Sequence, residues 1–113
     1  MPQTEHTESE ARMLAGDIGG TKTRLGLFEP TKEHPAFDHV ESFPSSDYPD
    51  LESVIAEFLK TRKVPVAGAC FGVAGPVRNG KCRVTNLPWE VSETNLQNAF
   101  SWSYVRLIND LAA

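Results

Sequence analysis

Cysteine is nearly absent from this chain: two residues in 113, Cys70 and Cys82. They form no C-x-x-C pair and stand near no paired histidines, so zinc spacing is missing and a disulfide framework is not expected. Cys70 lies in an apolar run, where a small buried thiol is the expectation. This usage points to a reducing, cytoplasmic setting. Long apolar runs are lacking too; none approaches the roughly 20 residues that span a bilayer. No stripe of Lys or Arg suggests nucleic acid or an anionic membrane, and the net charge is −4. The opening MPQTEHTESEA is polar and acidic. It has no apolar core of a signal peptide, so residues 1–11 read as a disordered polar tail. Repeats and low-complexity tracts are also missing.

What is present is ordinary globular composition, 40% hydrophobic and 23% charged, at a length that allows one modest domain. Residues 12–18 are mostly apolar and 22–28 partly alternate, so two strands joined by a Gly-rich turn are expected. FDHVESF, 37–43, alternates cleanly and reads as an exposed or edge strand; PSSDYPD, 44–50, is a turn cluster. Leu51, Val54, Ile55, Phe58 and Leu59 make one helical stripe. Asp50 and Glu52 fall in its first turn, Lys60, Arg62 and Lys63 in its last, and Pro65 stops it.

VAGACFGVAG, 66–75, looks like a strand covered on both faces. Asn79-Gly80 signals a hairpin from which KCRVT returns as a strand, and 85–89 is irregular. Ser92 caps a helix over 93–100 with Leu96, Ala99 and Phe100 inward. YVRLIND is a strand, and Asp110 begins a helical segment. The order β-β-β-α-β-β-α-β gives an α/β fold: a mixed five- or six-stranded sheet with flanking helices.

GDIGGTKT, from Gly16, carries the chemistry. It lacks the glycine before lysine of a Walker loop, and its spacing is not that of a Rossmann turn entering a helix. What remains is a carboxylate, Asp17, at a strand end, followed by Gly19-Gly20-Thr21. Such a turn can present backbone N–H groups to phosphate. An acid beside phosphate implies an intervening cation, Mg²⁺ with water in its shell. The same residues also suit a hairpin with a capping Asp and a glycine bulge. Asn109-Asp110 again puts polar groups at the carboxyl end of an apolar strand, where open α/β sheets bind ligands. Together they suit neighbouring hydroxyls of a polyol, and a carboxylate there can take a hydroxyl proton during attack on phosphorus; a helix N-cap is the alternative.

AGDIGGTKTRLGLF, CFGVAGPVRNGKCRVTNLPWEVS and VRLINDLAA, in this order, resemble the N-terminal part of bacterial-type glucokinases, of the hexokinase/actin-like ATPase superfamily. The resemblance implies a ribonuclease H-like small lobe over 12–113, the second lobe lying outside this chain. It implies that Gly16, Asp17, Ile18, Gly19, Gly20 and Thr21 bind the phosphates of ATP, with Asp17 holding Mg²⁺ through water. Asp110 corresponds to the base for the 6-hydroxyl of glucose and Asn109 to its sugar-binding neighbour; Thr85, Asn86, Gly75 and Pro76 correspond to loops that line or support the sugar cleft. Gly75-Pro76 is equally a structural turn, Lys22 is a phosphate contact or a solvated strand charge, and Trp89 is a core aromatic or packs beneath the loop. The implied activity is glucose to glucose 6-phosphate by the full-length enzyme, with this chain inactive alone and a homodimer left open. Partners are glucose and ATP, without nucleic acid or membrane. The rivals are a related sugar kinase and a sugar-sensing repressor; only eleven polar residues precede Arg12, too few for a DNA-binding segment.

Overall fold

The computed structural model describes residues 11–29, 37–62 and 64–109. The expected tail, Lys63, Asp110 and the segment after it lie outside the described residues, Ala11 apart. Eight strands and two helices follow in the order β1 (Arg12–Ile18), β2 (Lys22–Phe28), β3 (Phe37–Pro44), α1 (Leu51–Leu59), β4 (Val66–Val73), β5 (Val77–Arg78), β6 (Lys81–Arg83), β7 (Glu90–Ser92), α2 (Glu93–Phe100) and β8 (Tyr104–Asn109). A short 3-10 turn, Ser45–Asp47, leads from β3 toward α1.

The main sheet has five strands in the order β3-β2-β1-β4-β8. β1, β4 and β8 run parallel, while β2 is antiparallel to both β1 and β3. The expected return strand at KCRVT is not part of it. β6 pairs with β5 and β7 in a separate three-stranded sheet. β7 lay unseen in the sequence because three residues are too few to show a period of two.

Alternation assigns the two faces of the main sheet. Leu14, Ile18, Thr23, Leu25, Leu27, Phe43, Ala69, Phe71, Val73, Val105 and Leu107 are buried on one side. α1 lies over β2 there, burying Leu51, Val54, Ile55 and Phe58; α2 lies over β8 and buries Leu96. Phe100 is half-buried and stacks on Trp102 at 4.7 Å between centroids, whereas Ala99 is exposed, not inward as expected. α1 is capped by Asp50, whose carboxylate accepts from the Ser53 amide at 2.9 Å and its hydroxyl at 2.6 Å. It ends at Leu59, so Lys60 is its C-cap and Arg62 lies beyond the last turn. Arg62 still serves that end, donating to the Phe58 carbonyl at 2.7 Å.

The other face is open. Val40, Tyr104 and Ile108 are 53%, 45% and 52% exposed there, too much for a covered parallel sheet. β4 itself is partly covered on that face by the described residues: Gly68 is buried, and Cys70 and Gly72 are half-buried. Cys70, on the open side, is half-buried rather than buried; Cys82, under the small sheet, is the buried thiol.

Candidate functional site

The carboxyl ends of the three parallel strands share one edge. Ile18, Val73 and Asn109 form a single row across β1, β4 and β8. Two inter-strand spacings separate the outer members by about 10 Å of backbone. Asp17 stands one row earlier, beside Gly72 and Ile108. Its side chain is exposed on the open face, while Asn109, also exposed, leaves the sheet on the helix-covered side. The two polar strand ends thus share an edge but not a face. Asp110, the next residue, lies outside the described residues.

From β1 the chain turns through Gly19, Gly20 and Thr21. The Gly19 amide donates to the Lys22 carbonyl at 3.0 Å, closing the turn. Among the described residues, the Gly20 and Thr21 amides have no protein acceptor. Two adjacent free N–H groups are what an anion-binding turn presents. Neither glycine here has left-handed backbone. Gly20 is needed for a different reason: a Cβ on it would lie 2.7 Å from the Thr85 carbonyl oxygen and 3.2 Å from the Asn86 Cβ.

The fold thus brings Thr85 and Asn86 onto the turn, although 64 residues and more separate them from Gly20 in the chain. A backbone relay fixes the approach. The Ala74 amide donates to the Ile18 carbonyl at 3.1 Å, and the Thr85 amide to the Ala74 carbonyl at 2.9 Å. Gly75 is buried against β6, where a Cβ would sit 2.7 Å from the Arg83 carbonyl. Thr85 and Asn86 are exposed, and Asn86 takes φ 68°, a left-handed conformation that Asn tolerates better than most residues. Trp89 anchors the loop from below; it is buried and its indole N–H donates to the Tyr48 carbonyl at 3.0 Å.

Gly16 and Ile18 belong to the core side of β1. Ile18 is fully buried, and a Cβ on Gly16 would meet the Phe71 ring at 2.6 Å. Lys22 is exposed at the start of β2, as a solvated strand charge would be. A depression of about 310 Å³ lies on the open face, lined by Ala15, Gly26 and Val40 with Asp17 and Arg24 beside them; it does not include the Gly19–Thr21 turn.

Among the described residues no three acidic, His or Cys side chains converge as a metal centre. The exposed Asp17 carboxylate, two residues before the Gly19–Thr21 turn, is an oxygen ligand of the kind that a hard cation retaining water takes, while the turn's free amides suit the anion and not the cation. Burial raises the Cys82 thiol above its ordinary 9.0. Two polar residues at the site had no signal in the sequence. Ser45 donates to the Gly19 carbonyl at 2.7 Å, and Glu93 accepts from the Leu107 amide at 2.9 Å.

Parallel strands ending in a Gly-Gly-Thr turn and a polar Asn edge define an actin-like ATPase fold as sugar kinases adopt it. A solved glucokinase from an Antarctic psychrotroph superposes with a TM-score of 0.81 at 32% identity, over 89% of this chain and 33% of that one. The glucokinase of Balamuthia mandrillaris, solved with glucose, and a regulator homologous to the Escherichia coli MLC protein share the fold, each with a TM-score of 0.66 at 23% and 17% identity. A glucokinase family model matches residues 14–113. Curated glucokinases of Trichormus variabilis and Escherichia coli are 41% and 33% identical, over 89% and 88% of this chain. The chain belongs to the glucokinase family. It spans about 30% of the length of these curated relatives.

Proposed function

We propose that this chain is the small lobe of an ATP-dependent glucokinase that makes glucose 6-phosphate in the cytoplasm. The observation that carries the reading is the packing of Thr85 and Asn86 onto Gly20, in a turn whose Gly20 and Thr21 amides have no acceptor among the described residues. Family membership supports the same reading.

In this proposal Gly19, Gly20 and Thr21 cradle ATP phosphates through backbone N–H groups. Asp17 holds Mg²⁺ through water, and the ion supplies charge neutralisation on the phosphate oxygens. Asn109, Thr85 and Asn86 orient hexose hydroxyls. Asp110 aligns the 6-hydroxyl and takes its proton as that oxygen bonds to the γ-phosphorus and the bond to the ADP oxygen breaks. In a loose transition state the proton leaves late, so a weak carboxylate base can accept it. Orientation and water exclusion on closure against a second lobe supply much of the rate.

The test is ATP-dependent phosphorylation by the full-length protein, with glucose, mannose, fructose and N-acetylated hexoses compared. Glucose is expected to give the highest kcat/KM. Asp110→Asn is expected to keep glucose binding and lose turnover by about 100- to 10,000-fold, the range of general-base catalysis. An Asn variant near the parent rate would remove Asp110 from this role. Preference for another hexose would move the protein to a related kinase, and sugar binding without turnover to a sensing regulator.

A further inference from the structure

We propose that Ser45 is a positioning residue for the Gly19–Thr21 turn, holding its carbonyls from behind so that the Gly20 amide faces outward to an anion. This rests on the phosphate reading of that turn given above.

Ser45 sits where β3 ends, yet it is fully buried, as is Thr23. A buried hydroxyl is retained only with partners. The Ser45 hydroxyl has one proton, and the Gly19 carbonyl, 2.7 Å away, can only accept it. The Thr23 hydroxyl, at 2.9 Å, is therefore the donor to Ser45. The Ser45 amide also donates to the Thr21 carbonyl at 3.0 Å. One residue thus holds the carbonyls on both sides of Gly20.

The planar trans peptide turns this into aim. In each unit the C=O and the following N–H point in opposite directions. Drawing the Gly19 carbonyl onto Ser45 sends the Gly20 N–H away from the core, and that amide has no protein acceptor among the described residues. Thr85 also closes on the turn, so tightly that even a Cβ on Gly20 would not fit. Held by Ser45 and confined by Thr85, the amide needs no reorientation when an anion arrives, which is how a backbone donor contributes most.

A purely structural Ser45 would lower stability without separating the two substrates. The test uses the full-length protein as parent, Ser45→Ala, Ser45→Thr and Thr23→Val. The readouts are KM for each substrate, Mg–ATP affinity by calorimetry, and amide exchange of peptides spanning the turn without nucleotide. Ser45→Ala is expected to weaken Mg–ATP about three- to tenfold, the range of one hydrogen bond. Glucose KM should hold, and the turn should exchange faster. Ser45→Thr, which keeps the hydroxyl, is expected to recover most of the affinity. Thr23→Val, which only removes the donor to Ser45, is expected to cost about two- to threefold and decides the matter if Ser45→Ala is insoluble. Unchanged Mg–ATP affinity, or equal losses for glucose and ATP, would overturn the proposal. A parent that binds Mg–ATP but phosphorylates no hexose sinks the function proposed above and leaves the Ser45 comparison decisive. A parent that binds no nucleotide overturns both.

Discussion

The Glu93 carboxylate accepts the backbone N–H of Leu107 at 2.9 Å, tying the first turn of α2 to the outer strand of the sheet. Leu107 lies two residues before Asn109, so the bond steadies the end of the strand on which the proposed sugar contacts depend. Its other oxygen faces Gly80, where a Cβ would lie 2.7 Å away and where φ is 73°. The same carboxylate therefore sits between the β5–β6 hairpin and β8. Glu93→Ala is expected to destabilise the fold by about 1.5–3 kcal/mol, the worth of a hydrogen bond to a charged group. Glu93→Gln keeps an acceptor and should lose roughly half as much. Urea unfolding of the two variants checks this; equal losses would assign the effect to something other than the bond.

The two turn glycines are expected to differ sharply. A Cβ on Gly20 meets the Thr85 carbonyl at 2.7 Å, and backbone cannot swing aside as a side chain can. A Cβ on Gly19 meets only the Lys22 carbonyl, at 3.3 Å. Gly20→Ala should push the 85–86 loop off the turn, costing about 1–3 kcal/mol by overpacking and raising KM for both substrates. Gly19→Ala should cost well under that. Kinetics and melting of the pair, made in the full-length protein, separate a requirement for close approach from one for backbone freedom.

Much of this was legible because it is periodic. β1 shows as an apolar run, β2 and the edge strand β3 show in alternation, and the α1 stripe matches the buried side of that helix; Asp50, expected inside its first turn, is instead its cap. Cover for β4 on both faces held only in part, because an apolar run says that a strand wants cover without saying that the cover is in hand: Gly68 is buried on the open side, Cys70 and Gly72 are half-buried, and Tyr104 and Ile108 of neighbouring β8 are exposed. Ser45 and Glu93 were illegible for another reason. Their partners lie 26 and 14 residues away, and neither contact leaves a local pattern. Ser45 is one of two serines in a turn cluster, and Glu93 is an ordinary first-turn acid. Gly20 was noticed, but for approach to a phosphate, whereas the fold also needs it for Thr85.

Gly16 offers a direct choice between packing and nucleotide contact. Its missing Cβ faces the core, 2.6 Å from the Phe71 Cδ1 and 2.8 Å from the Leu25 Cδ2. Gly16→Ala is expected to destabilise by about 1–3 kcal/mol through overpacking, with KM for ATP unchanged. A raised KM at unchanged stability would instead place Gly16 against the nucleotide, as the family resemblance implies.

Cys82 gives the alkaline limit of the fold a specific contributor. Its thiol is buried under the small sheet, and desolvation of the thiolate raises its pKa above 9.0. Below 9.0 the thiol is protonated whether the chain is folded or not, so its contribution there is constant. As pH rises past that value the unfolded chain releases the proton while the folded chain keeps it. The folded state then binds more protons, and stability falls with pH until the folded pKa is passed. The slope is at most about 1.4 kcal/mol per pH unit. Cys82→Ala removes the titrating group at a pH-independent cavity cost, so the stability gap between parent and variant should narrow above pH 9.0 and stay flat below it. Unfolding of both proteins across that range reads the gap. Cys70, half-buried on the open face, should be alkylated well before Cys82 in the same samples. A gap that stays constant through the alkaline range would mean that solvent reaches the Cys82 sulfur in the folded protein.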